Sequence, residues 1–138
     1  MALLTSTPKV DGFRMPGEFE PQSAVWMIWP EREDVWRDGA KPGQQAFAAT
    51  AAAISQFTPV IMIVSARQMK NARTLLPASV TLFKLPTNDS WMRDSGPSFV
   101  INDKGELRTV DWCFNGYGGI DEGLYFPWDA DDRIPAQV

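Results

Sequence analysis

The chain has 138 residues, 44% of them hydrophobic and 22% charged, which is the composition of a folded globular protein and not of a disordered one. Thirteen basic and seventeen acidic residues leave a net charge of −4, so we expect no nucleic-acid and no membrane partner and favour a small or cationic one. One cysteine and no histidine rule out an internal disulfide and the usual zinc clusters, and we predict no metal site and no cofactor.

The first half of the chain alternates apolar runs with helical patterns. Residues 24–29 (AVWMIW) form an apolar run closed by Pro30, which is typical of a strand buried on both faces. In residues 44–57 the apolar side chains recur at spacings of three and four, which predicts a helix, and Pro42 suits its first turn. Val60–Val64 (VIMIV) is a second predicted buried strand.

A second helix and a third strand complete this pattern. Ser65 and Gln68 predict a capping box at the start of a helix over residues 66–76, and residues 80–85 (VTLFKL) predict a strand. The order strand, helix, strand, helix, strand indicates an α/β architecture with parallel pairing and helices on the sheet faces.

The second half of the chain has weaker patterns. Residues 98–101 and 106–112 predict a β-hairpin around a turn at 102–105, and residues 127–138 contain no predicted element. The first eight residues contain no long apolar core, so the sequence predicts neither a signal peptide nor a membrane span. We therefore predict a cytoplasmic protein.

Candidate chemistry concentrates in residues 87–96 (TNDSWMRDSG), the site loop, which directly follows the third predicted strand. Trp91 and Asp94 are three residues apart, so a single helical turn brings an indole and a carboxylate to the same side. A guanidinium can stack on the indole, worth about 0.5 to 2 kcal/mol, while the carboxylate accepts a fork of charge-assisted hydrogen bonds. The pair therefore suits a planar cation.

Two structural alternatives remain open at this point. Arg93 could pair with Asp89 or Asp94 and close the site loop with an internal salt bridge. In the other alternative, Trp91 is a core aromatic and the aspartates are turn residues or helix caps. Neither alternative accounts for the whole string.

Several ordered motifs resemble the family of agmatine deiminases and bacterial peptidylarginine deiminases. In that family a Trp-x-x-Asp step follows a strand, and here it runs from Trp91 to Asp94. The resemblance implies a pentein fold, a propeller-like ring of five ββαβ modules, of which residues 1–138 would form about the first two as the N-terminal part of a single domain. The matching strings lie in order along nearly the whole chain: MPGEFEP at 15–21, VWMIWP at 25–30, NDSWMRDSGP at 88–97, FNGYGG at 114–119 and LYFPWD at 124–129.

The resemblance also implies roles for individual residues. Trp91 packs on the substrate, and Asp94 pairs with the guanidinium as part of the catalytic machinery. Asp89 supports the loop or the amine end of the substrate, and Tyr117 is a substrate-binding residue where relatives often carry tryptophan. Family chemistry further requires a cysteine nucleophile and a histidine. The chain has no histidine, and Cys113 is predicted to be a buried structural cysteine.

These implications favour a hydrolase that converts agmatine and water into N-carbamoylputrescine and ammonia, with the catalytic cysteine and histidine outside these 138 residues. By itself the chain is expected to bind a guanidinium without turnover, and its open sheet edge to favour a homo-oligomer. A peptidylarginine or free-arginine deiminase is the alternative within the family. A non-catalytic cation-binding or assembly module is the alternative of another class, and a metal-dependent ureohydrolase is set aside for lack of histidine ligands.

Overall fold

A computed structural model describes residues 4–138 of the chain, and its centre is a three-stranded sheet. Three of the described helices are single turns of four residues, so the fold rests on the sheet and on the two longer helices. None of the helices in residues 4–138 has the length and apolarity needed to cross a membrane. The elements, in chain order, are β1 Val25–Ile28, α1 Lys41–Ile54, β2 Val60–Val64, α2 Met69–Leu75, β3 Thr81–Lys84, α3 Met92–Ser95, β4 Ser98–Ile101, β5 Leu107–Val110, α4 Gly119–Glu122 and α5 Asp129–Asp132.

The strands β1, β2 and β3 lie side by side in chain order and run parallel. Met62 of β2 lies in register between Met27 of β1 and Leu82 of β3. Each connection passes through a helix, first α1 and then α2, because parallel neighbours need a crossover rather than a tight turn. The predicted α/β architecture with parallel pairing is therefore confirmed.

The two faces of this sheet are covered by different parts of the chain. Side chains alternate between faces along a strand, so Val60, Met62 and Val64 lie together against α1 and α2. The opposite face presents Ile28 and Ile63. That face is covered by Met92, Leu85 and Ile134. The second face therefore joins the sheet to α3 and to the end of the chain.

The start of α2 differs from its prediction. The helix begins at Met69 and not at residue 66, and no side chain caps it. The Ser65 hydroxyl donates to the Glu31 carboxylate at 2.8 Å, and the Arg67 guanidinium donates to the same oxygen at 2.9 Å. The predicted capping box is wrong, because the hydroxyl that would form it is used in a long-range contact.

The other predicted boundaries hold to within a few residues. The helix α1 begins at Lys41 with Pro42 in its first turn, as predicted. The predicted hairpin is confirmed as the antiparallel pair of β4 and β5, in which Ser98 lies opposite Val110. Its second strand is shorter than predicted, because the ladder ends at Val110.

The last part of the chain is structured, so the prediction that residues 127–138 contain no element is wrong. Asp129–Asp132 forms α5, and Ile134–Ala136 forms a 3-10 turn. Ile134 is fully buried against the sheet. A single helical turn carries too little periodicity to be recognised in a sequence, and its position depends on contacts with the site loop.

Candidate functional site

The site loop leaves the carboxyl end of β3 and contains the one-turn helix α3. Its second half is held by hydrogen bonds to the backbone carbonyl oxygens of Trp91 and Met92. The Ser95 hydroxyl donates to the Trp91 carbonyl oxygen at 2.9 Å. A Cβ at Gly96 would collide with the Met92 carbonyl oxygen, so this turn requires glycine. These contacts fix the backbone that carries Trp91 and Asp94.

Asp89 lies at the base of the site loop with 1% of its surface exposed. Its two carboxylate oxygens accept hydrogen bonds from two indoles, Trp36 Nε1 at 2.8 Å and Trp91 Nε1 at 2.6 Å. The two indoles are stacked, with ring centroids 5.4 Å apart and an angle of 26° between the planes. Asp89 therefore supports the site loop, whereas contact with the amine end of a substrate would need an exposed carboxylate.

A second set of contacts, the tail clasp, joins residues 88–89 to Tyr125 and residues 130–131. Asp131 accepts from the backbone N–H groups of Asn88 at 2.7 Å and Asp89 at 3.0 Å. The Tyr125 hydroxyl also donates to Asp131, at 2.6 Å. In return, the Asn88 side-chain oxygen accepts from the backbone N–H groups of Ala130 at 2.7 Å and Asp131 at 3.2 Å. Burial raises the pKa of Asp131, and the donors around its carboxylate oppose that shift.

Arg93 points away from the buried part of the site loop. Its guanidinium donates to Glu18 at 3.0 Å, and the two side chains are 86% and 83% exposed. The hypothesis of an internal salt bridge to Asp89 or Asp94 is therefore wrong. An ion pair this exposed contributes roughly 0 to 1 kcal/mol, and Asp94 remains exposed to solvent.

An open depression of about 580 Å³ lies on one side of the site loop. Trp91 is only partly buried and its ring lines this depression, which contradicts the alternative that it is simply a core aromatic. A concave surface with aromatic walls and a few polar groups is the general form of a small-molecule site. The lining residues are Trp91, Tyr117, Glu122, Gly123 and Leu124.

Tyr117 reaches the depression from the glycine-rich loop, residues 115–124. Its backbone has a φ of 71°, in the left-handed region that residues other than glycine seldom adopt. Burial, and then the negative charge of Asp94, raise the pKa of Tyr117. A tyrosine hydroxyl is protonated at neutral pH even without this shift, so Tyr117 offers a donor near the Asp94 carboxylate.

The structure brings Trp91, Asp94 and Tyr117 together at one surface and places Asp89 behind Trp91. Sequence analysis missed Trp36, which shares the carboxylate of Asp89 with Trp91, and it missed Asp131. The only local signal for Trp36 is an aromatic side chain in a charged, proline-containing segment. Nothing in that segment points to a partner 53 residues away.

Cys113 and the acidic side chains are the groups of this chain that could in principle act as a nucleophile or bind a metal ion. Cys113 is exposed, so the prediction of a buried structural cysteine is wrong. Strand β5 ends at Val110, and beyond it Trp112 and Cys113 have left the sheet and face solvent. Within the part of the chain that the structure describes, no three Asp, Glu or Cys side chains converge in a way suited to a metal ion.

Comparison with known proteins finds deiminases over the whole chain. The agmatine deiminase of Ectopseudomonas mendocina is 53% identical over 139 residues, a match that covers 100% of this chain and 38% of that protein. The solved structure of the agmatine deiminase of Enterococcus faecalis matches with a TM-score of 0.94 and 61% identity, over 97% of this chain and 37% of that one. A substrate-bound agmatine deiminase of C. jejuni, with a TM-score of 0.73 and 22% identity, shares the fold. The chain thus spans a little more than a third of the length of these relatives.

A family-level match agrees with these relatives. The sequence model of the Porphyromonas-type peptidyl-arginine deiminase family matches residues 14–138. That range includes the site loop, the glycine-rich loop and the tail clasp, and it contains the motifs that carried the resemblance. The chain therefore belongs to the Porphyromonas-type peptidyl-arginine deiminase family.

Proposed function

We propose that this chain provides the guanidinium-binding part of a hydrolase that converts agmatine and water into N-carbamoylputrescine and ammonia. The observation that carries the proposal is the exposed Asp94 carboxylate near Tyr117, a residue that lines a depression together with Trp91. The relatives from Ectopseudomonas mendocina and Enterococcus faecalis are agmatine deiminases, which supports agmatine as the guanidino compound.

The physical match is between a flat cation and a carboxylate next to an aromatic face. A guanidinium is planar, permanently charged and donates hydrogen bonds in a rigid fork. Asp94 would accept that fork through charge-assisted bonds, and the Trp91 ring would add about 0.5 to 2 kcal/mol of cation–π attraction. The carboxylate sets the direction of the ligand, and the indole sets its plane.

The acidic residue in the lining of the depression supports agmatine over arginine. Glu122 lines the same depression and is exposed. Agmatine carries a second positive charge at its amine end, whereas free arginine carries a carboxylate there and peptidyl arginine a neutral backbone. An acidic residue in the depression, in addition to Asp94 near Tyr117, therefore favours a substrate that is positive at both ends.

Binding alone would leave the guanidinium intact, because its central carbon is a poor electrophile without a strong nucleophile. In the proposed reaction a cysteine thiolate adds to that carbon, and ammonia leaves the tetrahedral adduct to give a thiouronium intermediate. Water activated by a histidine then adds to this intermediate and releases the ureido product and the free thiol. The 138 residues contain no histidine to activate Cys113, their one cysteine. In this proposal the reacting cysteine and histidine therefore come from further sequence, and the chain alone has no turnover. In this proposal the chain forms about two of the five modules of one pentein domain, in a cytoplasmic homo-oligomer.

Titration of agmatine into the purified 138-residue chain by calorimetry, with ammonia release followed in parallel, tests the proposal. We expect saturable binding that is lost in Asp94→Asn and kept in Asp103→Asn, without ammonia release. Asp103 provides a matched charge change, because it is an exposed carboxylate in the turn between β4 and β5. If Asp94→Asn binds agmatine as tightly as the unaltered chain, the assignment of Asp94 to the binding site is wrong. Ammonia release would overturn the claim that the chain alone is inactive.

The full-length protein separates the alternatives. It should release ammonia from agmatine faster than from free arginine or from an arginine-containing peptide. A preference for either arginine compound would favour the alternative deiminases of the family. Saturable binding of agmatine without ammonia release would favour a non-catalytic binding module.

A further inference from the structure

We infer that Trp36 is a positioning residue for the guanidinium site, acting through the buried Asp89 to fix the plane of Trp91. The inference rests on the proposed function, in which the guanidinium stacks on the Trp91 indole. Trp36 does not line the depression, and Asp89 is 1% exposed, so both act without touching the substrate.

The first step is the sharing of one carboxylate by two indoles. Each oxygen of Asp89 accepts one indole N–H, from Trp36 at 2.8 Å and from Trp91 at 2.6 Å. A hydrogen bond at Nε1 opposes rotation of the indole about its link to the backbone. The stacking of the two rings, 5.4 Å apart, opposes tilting of either plane. Together these two restraints define the orientation of the Trp91 ring.

The second step is that Trp36 is anchored on α1. The Phe47 ring packs edge-on against Trp36, with centroids 5.7 Å apart and planes at 84°. A Cβ at Gly43 would lie 2.7 Å from a carbon of the Trp36 ring. Glycine is a poor helix former, and its presence inside α1 is explained by the space that this ring needs.

The third step is that Asp89 is held from behind by the tail clasp. Its backbone N–H donates to the buried carboxylate of Asp131 at 3.0 Å. Contacts therefore run without a gap from α1 through Trp36 and Asp89 to Trp91. The plane on which the cation stacks is set by a fourteen-residue helix packed on the sheet and not by the loop alone. Orientation of this kind chiefly affects the rate of the chemical step.

Three variants of the full-length protein test this chain of contacts. Trp36→Phe keeps an aromatic ring and removes the N–H that binds Asp89, and Trp36→Leu removes both. Gly43→Ala removes none of the site's side chains and displaces the Trp36 ring, because the added methyl group occupies the space of that ring. The matched control is Trp112→Phe, which removes one indole hydrogen bond, to Ser98 at 3.0 Å, outside the site.

Two measurements are made on each variant. The first is the indole N–H signal of Trp91 in a nitrogen-15 spectrum of the ligand-free protein. We expect it to shift in Trp36→Phe and Gly43→Ala and to stay in place in Trp112→Phe.

The second measurement gives kcat and KM for agmatine. We expect kcat/KM to fall about threefold to tenfold in Trp36→Phe and about tenfold to a hundredfold in Trp36→Leu. Most of the change should be in kcat, because the charge of Asp94 is kept.

The outcomes distinguish the inference from the function on which it rests. A wild-type protein that releases no ammonia from agmatine refutes the proposed function, and the Trp91 signal then decides the positioning role alone. Unchanged kcat in Trp36→Phe and Gly43→Ala, or a loss of thermal stability without a shift of the Trp91 signal, overturns the inference. If Trp36→Leu does not fold, Gly43→Ala decides, because it keeps Trp36 and displaces only its ring, and the gain in helix propensity offsets part of the cost of that displacement.

Discussion

Two carboxylates of the site loop, Asp89 and Asp94, lie five residues apart and have opposite surroundings. Asp89 is 1% exposed and has an indole donor on each oxygen. Asp94 is exposed, and Arg93 beside it pairs with Glu18 instead. A carboxylate whose oxygens are already bonded inside the protein serves the structure, whereas an exposed one next to an aromatic face can serve a ligand.

The same contrast separates the segments around the two residues. The buried half of the site loop is tied to α5 through Asn88 and Asp131, so its backbone is fixed from both sides. The exposed Asp94 lies near Tyr117 of the glycine-rich loop, whose backbone has a positive φ. Strained backbone of this kind is common at binding sites, where other contacts compensate its cost. Substitutions at Asp89 should therefore lower stability, and substitutions at Asp94 should lower affinity.

The largest expected effect is the loss of the tail clasp in Asp131→Ala. Two backbone N–H groups and the Tyr125 hydroxyl lose their buried acceptor, which should cost about 3 to 5 kcal/mol of unfolding free energy. Chemical denaturation followed by fluorescence measures this value. Asp129→Ala is the matched control, because Asp129 is 61% exposed and its pair with Arg133 is worth roughly 0 to 1 kcal/mol. A cost below that of the control would mean that the clasp does not hold the site loop.

The next effect sharpens the comparison between the two carboxylates. Asp94→Asn should weaken agmatine binding by about 1.5 to 3 kcal/mol, the worth of hydrogen bonds to a charged group, and leave stability within about 0.5 kcal/mol. Asp89→Asn should lower stability by about 1 to 3 kcal/mol, because an amide cannot accept from both indoles. Calorimetry and denaturation on the same samples give both values. Equal losses of affinity and stability in the two variants would erase the distinction.

A smaller effect is expected in the glycine-rich loop. A Cβ at Gly123 would collide with the Gly119 carbonyl oxygen, so Gly123→Ala should cost about 1 to 3 kcal/mol of stability. The change should also weaken agmatine binding, since Gly123 lines the depression. Gly105→Asn serves as control, because the space around Gly105 is open and asparagine tolerates its φ of +77°. Thermal unfolding gives the melting temperature of each variant. A lower melting temperature for Gly105→Asn than for Gly123→Ala would contradict this account.

Local patterns in the sequence predicted the parallel strands, α1 and the hairpin, because each of these elements carries its own periodicity or turn. The composition of the site loop, together with the motif around Trp91, favours a cation site there, and this site stays a prediction. Trp36 and Asp131 were not predicted, because their partners lie 53 and 42 residues away and no local pattern encodes such contacts. The capping box failed for the same reason, since Ser65 has a partner outside its own turn.

The smallest expected effects are opposite responses to pH by a surface acid and a buried one. Hydrogen bonds from Arg14 and from the Gly17 N–H lower the pKa of Glu20 from 4.5 to about 2. The stability that Glu20 contributes is therefore fully present above its unfolded pKa and is lost as the pH falls through about 2. Burial raises the pKa of Asp131 above its unfolded value. The contribution of Asp131 is therefore highest below that unfolded value and declines as the pH rises through the folded one.

Paired variants measure the two responses separately. The unfolding free energies of Glu20→Gln, Asp131→Asn and the unaltered protein are compared between pH 2 and pH 7. As the pH falls, the advantage of the unaltered protein over Glu20→Gln should shrink, while its advantage over Asp131→Asn should grow. Buried and exposed carboxylates differ in this way because burial penalises the charged form of one, whereas an ion pair stabilises the charged form of the other. Two differences that move in the same direction with pH would contradict that account of the two environments.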